Sequence, residues 1–216
     1  MSHLKRQSTP KSWPIIRKGS TYVVKSKSSI NEGVPILIVL RDMLKLAQNR
    51  SEVKRIIHLK QVLVNQRKVT DERNNIVFFD TLTIIPLKKN YRLELSENGK
   101  FYLAEIKESE ADKKIVKIVN KKIMKGKKTQ LNLNDGRNFL SEIKCNINDS
   151  VIVQLKEGKI EKCLPIKEKS KVIIFAGKHT GKSGEIEKLN LEEKTASVKI
   201  SGKEINILLN QLMVIE

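Results

Sequence analysis

The chain has 216 residues, with 43 Lys and Arg against 24 Asp and Glu and a net charge of +19. Only nine residues are aromatic while 31% are charged, so small modules with modest cores suit this composition better than one large core. The positive field of such a chain gathers polyanions, nucleic acid foremost. A membrane role is disfavoured: no strongly amphipathic basic helix is visible, the N-terminus is polar rather than leader-like, and the longest apolar run, Val34 to Leu40, holds a proline and is too short to span a bilayer. The expectation is a soluble cytoplasmic protein.

Residues 1–33 form a basic N-terminal arm. No acidic residue precedes Glu32, and Pro10 and Pro14 break any long helix. A segment of this kind buries too little apolar area to fold alone, so it is expected to order on a phosphate surface and to be unordered away from it. Trp13, the sole tryptophan, has two readings: part of that RNA-ordered arm, or an anchor against the body of the protein.

From Val34 to Gln48, the positions Ile36, Leu40, Met43, Leu44 and Ala47 recur at helical spacing. Arg41 and Lys45, four residues apart, would then share a face. A second helix is expected from Ser51 as N-cap, with Glu52 in its first turn. Its apolar side is Val53, Ile56 and Ile57, closed by a structural His58; Lys54 and Arg55 lie opposite. Val62, Val64 and Val69 read as short strands around an Asn65-Gln66 turn. Leu82 to Ile85 is a further strand stopped by Pro86, with Asp80 before it as a turn residue rather than a base.

Residues 89–167 read as β structure with polar turns. YRLEL and FYLAEI flank Ser96-Glu97-Asn98-Gly99. KKIVKIVNKKIM follows, then a tight turn at Asn134-Asp135-Gly136, then a hairpin across Lys156-Glu157-Gly158. Cys145 and Cys163 have no zinc-type spacing and read as buried or half-buried thiols in a reducing compartment. Residues 168–216 supply five more short strands, KVIIFAG, GEIEKLN, TASVKIS, EINILL and QLMVIE, as expected of a small barrel.

One stretch, KVIIFAGKHTGKSGEIEKL from Lys171, matches the loose form of a nucleotide-binding loop at Ala176 and Gly181-Lys182-Ser183. Such a loop needs a helix directly after the Lys-Ser pair, whose N-terminus holds the phosphates. Here Gly184 follows Ser183, and the next residues alternate like a strand. The 33 residues after Ser183 also lack a crossover helix and an acidic metal ligand on a strand. The segment reads instead as strand, turn and strand, with Lys178, His179, Thr180 and Lys182 on an exposed turn. In that form it resembles the KOW motif, a hairpin of an SH3-like barrel whose loop contacts RNA backbone or protein. No nucleotide, cofactor or metal is expected.

With that module placed, the whole chain resembles one family. HLKRQSTPKSWPIIRKG, from His3, is similar to the opening His-Leu-Lys-Arg…Pro-Lys-Ser-Trp of the archaeal/eukaryotic small-subunit ribosomal protein four, the e-type family. His3, Leu4, Lys5, Arg6, Pro10, Lys11, Ser12 and Trp13 carry the match. Val34 to Asp71 looks like that family's S-four-type RNA-binding domain, in the order helix, helix, hairpin. Asn134-Asp135-Gly136-Arg137 resembles its central His-Asp-Gly-Arg turn. Three departures stand out: Asn65-Gln66 in place of Asn-Gly, Asn134 in place of histidine, and a C-terminus shorter than in eukaryotic members, which points to an archaeal version.

The resemblance implies an α+β, multi-module protein. Its expected parts are the arm (1–33), an S-four-type domain (34–88), a central β domain (89–167) and a KOW SH3-like barrel (168–216). It implies a non-enzymatic structural constituent of the small ribosomal subunit, bound to small-subunit ribosomal RNA and to other small-subunit proteins, with contacts mostly to phosphates. The expected RNA-binding residues in the arm are His3, Lys5, Arg6, Lys11, Trp13, Arg17 and Lys18. In the S-four-type segment they are Arg41, Lys45, Lys54, Arg55, Lys60, Asn65, Arg67 and Lys68. Arg137 is expected in the central turn, and Lys178, His179 and Lys182 in the C-terminal loop. The alternatives are a KOW-containing translation or transcription factor, which would not explain the N-terminal match, and an S-four-domain RNA-modifying enzyme, for which the chain has too little catalytic domain.

Overall fold

In the computed structural model, which describes residues 3–124, 128–141 and 143–215, the basic arm pairs with itself. Strand β1 (Leu4–Lys5) runs antiparallel to β2 (Tyr22–Val23). The Arg6 guanidinium clasps the loop between them, donating to Ile16 O (2.7 Å), Ser20 O (2.8 Å) and Ser20 Oγ (2.8 Å). Trp13 is 2% exposed. Its Nε1–H donates to Gly33 O at 2.9 Å and Ile30 O at 3.2 Å, and Phe101 N donates to Ser12 O at 2.9 Å. The expectation that the arm orders only on RNA is therefore corrected. A buried indole with its N–H satisfied gives the arm an apolar anchor of its own.

The chain divides into two compact units, Met1–Asp112 and Lys113–Glu216. In the first, β3 (Gly33–Pro35) pairs with β6 (Asn75–Val77). Gly33 is required there, because a Cβ would stand 2.2 Å from Ile76 O. Helix α1 (Ile36–Ile38) continues as a π-helical turn, Val39–Met43. Ile36 to Leu40 are all buried, so this is a core segment rather than a one-sided amphipathic helix. The helix expected to reach Gln48 ends near Leu44, and Lys45 has a φ of 55°. Arg41 and Lys45 consequently do not share a helical face.

Helix α2 (Arg50–His58) is capped by Asn49, not Ser51: Asn49 Oδ1 accepts from Glu52 N at 3.0 Å, and Glu52 Oε2 accepts from Gln48 N at 2.7 Å. Val53 and Ile57 are buried, Ile56 half-buried, and Lys54 and Arg55 exposed, as expected. His58 is also exposed, about 100° around the helix from Ile57, so it does not close the apolar face.

Strands β4 (Val62–Val64) and β5 (Arg67–Lys68) meet across Asn65 (φ 49°) and Gln66 (φ 62°). This is a two-residue turn with both residues left-handed. The sheet continues with β7 (Thr81–Ile84), β8 (Lys89–Leu95) and β9 (Phe101–Ile106), in the order β5-β4-β7-β8-β9. The boundary expected at residue 89 thus falls inside a sheet, because β8 pairs with β7 from Arg92 back to Lys89. A short helix, α3 (Glu108–Ala111), was not foreseen.

The second unit holds two antiparallel five-stranded sheets. The first comprises β10 (Lys113–Ile123), β11 (Thr129–Leu133), β12 (Asn138–Ser141), β13 (Ser150–Gln154) and β14 (Lys159–Leu164), in the order β12-β11-β10-β13-β14. The other comprises β15 (Lys171–Ile174), β16 (Ser183–Asn190), β17 (Thr195–Ile200), β18 (Lys203–Leu208) and β19 (Leu212–Val214), in the order β18-β17-β16-β15-β19. The last expected strand ran to Glu216, which lies outside the described residues. One apolar cluster joins Ile152 and Leu164 to Val172, Ile174, Ile186, Val198 and Leu212, so the two sheets share a core across the boundary expected at residue 168.

Lys117 is 2% exposed in this unit. Its ammonium donates to Leu209 O and, at 2.6 Å, to Leu212 O, and sits 5.9 Å from the Phe175 ring centre. Burial pushes its pKa down to about 7, against an opposing pull from Asp149. Cys145 is buried and Cys163 half-buried, both free thiols in one cluster. Burial, and then the neighbouring Cys145, raises Cys163 to about 12.

Candidate nucleic-acid interface

The arm's fold builds a groove in the first unit. Its volume is about 830 Å³, and its lining includes His3, Arg6, Tyr22, Lys25 and Lys27 from the arm and Arg41, Arg50 and Arg73 from the segments that follow. The β1–β2 pairing places His3 beside Tyr22, with ring centres 5.1 Å apart and planes at 82°. An edge-to-face aromatic pair at the edge of a basic groove can meet a base or ribose.

Three of the groove cations are oriented by carboxylates. Arg41 donates to Asp42 at 2.8 and 3.1 Å, and the hydrogen bond to Asp42 raises its pKa. Arg50 is held by Glu72, which is buried. Arg73 lies 3.0 Å from Asp71, whose pKa that bond lowers. Each guanidinium keeps donors beyond those its carboxylate uses, so the pairs aim the arginines without exhausting them. Six cations against three paired carboxylates leave the groove electropositive. Charge of that sign with a fixed array of N–H donors suits phosphate oxygens.

Of the expected residues, the groove gathers His3, Arg6 and Arg41. Arg6 has spent three of its five N–H groups on the arm's own loop, so its role is largely structural. Lys5, Lys11, Arg17, Lys18, Lys45, Lys54, Arg55, Lys60, Arg67 and Lys68 are exposed but do not line it. Two expected residues face inward. Trp13 is the arm's anchor. Asn65 is 6% exposed, with its Nδ2 donating to Asp80 Oδ1 at 2.7 Å and its Oδ1 accepting from Thr81 N at 3.1 Å. The side chain locks the turn, and its burial keeps it from a surface contact. Asp80, which also accepts from Val77 N at 2.7 Å, is the turn residue expected of it.

The sequence reading missed Arg50, Arg73, Lys25, Lys27 and Tyr22 as site residues. Lys25 and Lys27 were visible only as part of the arm's charge, and Arg73 lies in the polar stretch Thr70 to Asn75, which carries no apolar periodicity to single it out. The contact from Lys27 N to Arg73 O, at 3.0 Å, brings them together across 46 residues.

In the second unit, Arg137 is drawn to the turn's own Asp135 (3.6 Å), which also holds the buried Lys114 at 2.9 Å. Gly136 has a φ of 81°. Lys178 is exposed, and His179 and Lys182 half-buried, on the loop between β15 and β16. Gly181 N donates to Ile174 O (2.7 Å) and Ile174 N to Lys182 O (3.0 Å), closing that loop as a hairpin. Ser183 opens strand β16 rather than a helix, so the loop lacks the helix N-terminus on which a nucleotide loop depends. Among the described residues no group of three His, Cys, Asp or Glu could hold a metal ion, and no helix is long and apolar enough to cross a membrane.

Comparison with known proteins gives consistent matches. Residues 2–28 match the RS4NT (NUC023) domain, and residues 87–160 match the model described as Ribosomal family S4e. The small ribosomal subunit protein eS4 of Methanocella arvoryzae is 38% identical over 198 residues, covering 90% of this chain and 84% of that protein. Its counterpart in Archaeoglobus fulgidus is 35% identical over 209 residues, covering 95% and 88%. The crystal structure of the 30S ribosomal protein S4e from Thermoplasma acidophilum aligns with a TM-score of 0.73 at 26% identity, over 85% of this chain and 95% of that one.

Proposed function

The chain belongs to ribosomal family S4e, and from that premise we propose that the groove of its first unit is a binding surface for small-subunit ribosomal RNA. The protein is a structural constituent of the small ribosomal subunit and not an enzyme, and it works in cytoplasmic ribosomes. The observation that carries the RNA reading is the groove itself: six cations on a preformed fold, three of them fixed by carboxylates. Folded RNA offers phosphates, ribose hydroxyls and shape rather than a legible base sequence, and this lining suits those groups. Neighbouring small-subunit proteins complete the partners.

We read residues 34–88 as an S-four-type domain. The β15–β16 hairpin we read as KOW-type, with Lys178 and Lys182 toward RNA or a neighbouring protein and no nucleotide. Two short helices followed by a hairpin support the first reading. Gly184 supports the second, because a Cβ there would stand 2.3 Å from Lys199 O on the facing strand.

Two experiments test the proposal. Sedimentation of a native lysate should leave the protein in the small-subunit peak through a high-salt wash; release at moderate salt would point to a transient factor. Binding to transcribed small-subunit ribosomal RNA should weaken linearly in log–log form with salt. The Lys27→Gln/Arg73→Gln variant should reduce that slope by about 1 to 2. A slope equal to wild type would remove the groove from the interface.

A further inference from the structure

The β10–β11 hairpin carries basic and apolar groups that the groove of the first unit does not use. From Lys113 to Asn134 the sequence has eight lysines and no acidic residue. Strand β10 is 11 residues long, yet it pairs with β13 only from Lys113 to Lys117. From Ile118 to Ile123 its partner is β11 alone. The hairpin therefore runs past the core that formed it. Burial follows this change: Val116 and Ile118 are enclosed, and Val119 to Met124 are exposed.

A ladder beyond its core has no packing reason to be apolar. Even so, Ile123 is 76% exposed, Leu140 63% and Met124 41%. With Lys122 and Lys128 they line a groove of about 500 Å³. The register places Lys122, Gln130 and Leu140 side by side on one face. Other lysines of the run are engaged: Lys113 with Glu161, Lys114 with Asp135, Lys117 with two carbonyls, Lys121 with Cys145 O at 2.8 Å. Among the described residues no acidic side chain pairs with Lys122 or Lys128.

Two such lysines beside an apolar floor favour RNA over protein as the occupant. Protein interfaces are depleted in lysine. RNA supplies phosphates for the ammonium groups and unstacked bases for the apolar surface, and Ile, Leu and Met serve elsewhere as apolar contacts to unstacked bases. We propose that the β10–β11 hairpin is a second RNA-binding surface, in which Lys122 and Lys128 take phosphates flanking an unpaired nucleotide whose base lies on Met124 and Leu140, which share the face of Lys122. The inference rests on the ribosomal reading above but on a different unit of the chain.

The test uses the full chain and transcribed small-subunit ribosomal RNA. Three variants are compared with wild type after circular dichroism confirms their fold: Lys122→Gln/Lys128→Gln, Met124→Ser/Leu140→Ser, and the groove variant Lys27→Gln/Arg73→Gln. The lysine variant should lower the salt slope by about 1.5. The apolar variant should weaken binding roughly 5- to 50-fold with the slope unchanged, as expected for loss of one base contact. Wild-type binding by both hairpin variants, with the groove variant impaired, overturns this inference and leaves the groove standing. Wild-type binding by all three overturns both. Hairpin variants that bind naked RNA normally but drop out of assembled subunits identify a protein occupant and overturn the RNA assignment.

Discussion

Replacing Trp13 by alanine should detach the arm. The indole is 2% exposed, and a tryptophan of that burial removes roughly 150–250 Å² from water. At about 25 cal/mol per Å² that amounts to an upper figure of about 4–6 kcal/mol. The Nε1–H bonds to Gly33 O and Ile30 O would also go, leaving those carbonyls to water that enters the vacated seat. The expected loss is about 3–5 kcal/mol, in the range measured for large aromatic truncations. Because Trp13 is the sole tryptophan, its emission reports the arm alone. In the RNA-free wild-type protein the emission should be blue-shifted and shielded from iodide, and should move red in urea together with the loss of β signal. Hydrogen exchange gives a second readout: the Arg6 amide, bonded to Thr21 O at 2.9 Å, should be protected in wild type and exposed in Trp13→Ala. A red-shifted, freely quenched tryptophan in the RNA-free wild type, or a cost below about 1 kcal/mol, would refute the docked arm. The arm would then be a segment ordered by RNA.

Gly184→Ala should open the β16–β17 ladder, because the new methyl would stand 2.3 Å from Lys199 O and 2.8 Å from Val198 Cγ1. The cost is about 1–3 kcal/mol, read as a lower melting temperature of the second unit by calorimetry; an unchanged melting temperature would count against that close approach. Lys117 gives the second unit a pH dependence. Its folded pKa of about 7 lies below the ordinary 10.5, so between those values the unfolded chain binds more protons and stability rises with pH. The burial penalty is complete below about pH 7 and is relieved as pH climbs. From pH 7 to 8.5 the gain should be about 1.5 kcal/mol in urea titrations. It should vanish in Lys117→Met; a gain that persists in the variant belongs to other groups.

Much of the fold is legible locally. The hairpins around Asn98-Gly99 and Lys156-Glu157-Gly158, the strand after Ser183, and the apolar Val53 and Ile57 of α2 all follow from periodicity and turn chemistry. The errors arise where a distant residue decides. Ser51 is a good cap by type, but Asn49 wins because Glu52 reaches back to Gln48 N. Asn65 looks like an exposed turn residue until Asp80 and Thr81, 15 and 16 positions on, bury its amide. The candidate site was half legible. The arm's charge pointed to it, but Arg50 and Arg73 became part of it only through Glu72, Asp71 and the contact of Lys27 with Arg73.

The sequence by itself determined the sign and size of the charge, the polyanionic partner that charge selects, the N-terminal motif that carries the family, and the alternation that makes most of the chain strands. Those properties depend on residue type and on neighbours a few positions away. Tertiary structure decided which cations converge and which are spent internally. It also seated Trp13 against the body, ran one sheet through residue 89, and left the β10–β11 hairpin projecting beyond its core. These outcomes depend on contacts between residues far apart in the chain, where burial and hydrogen-bond satisfaction choose among partners that look alike in sequence.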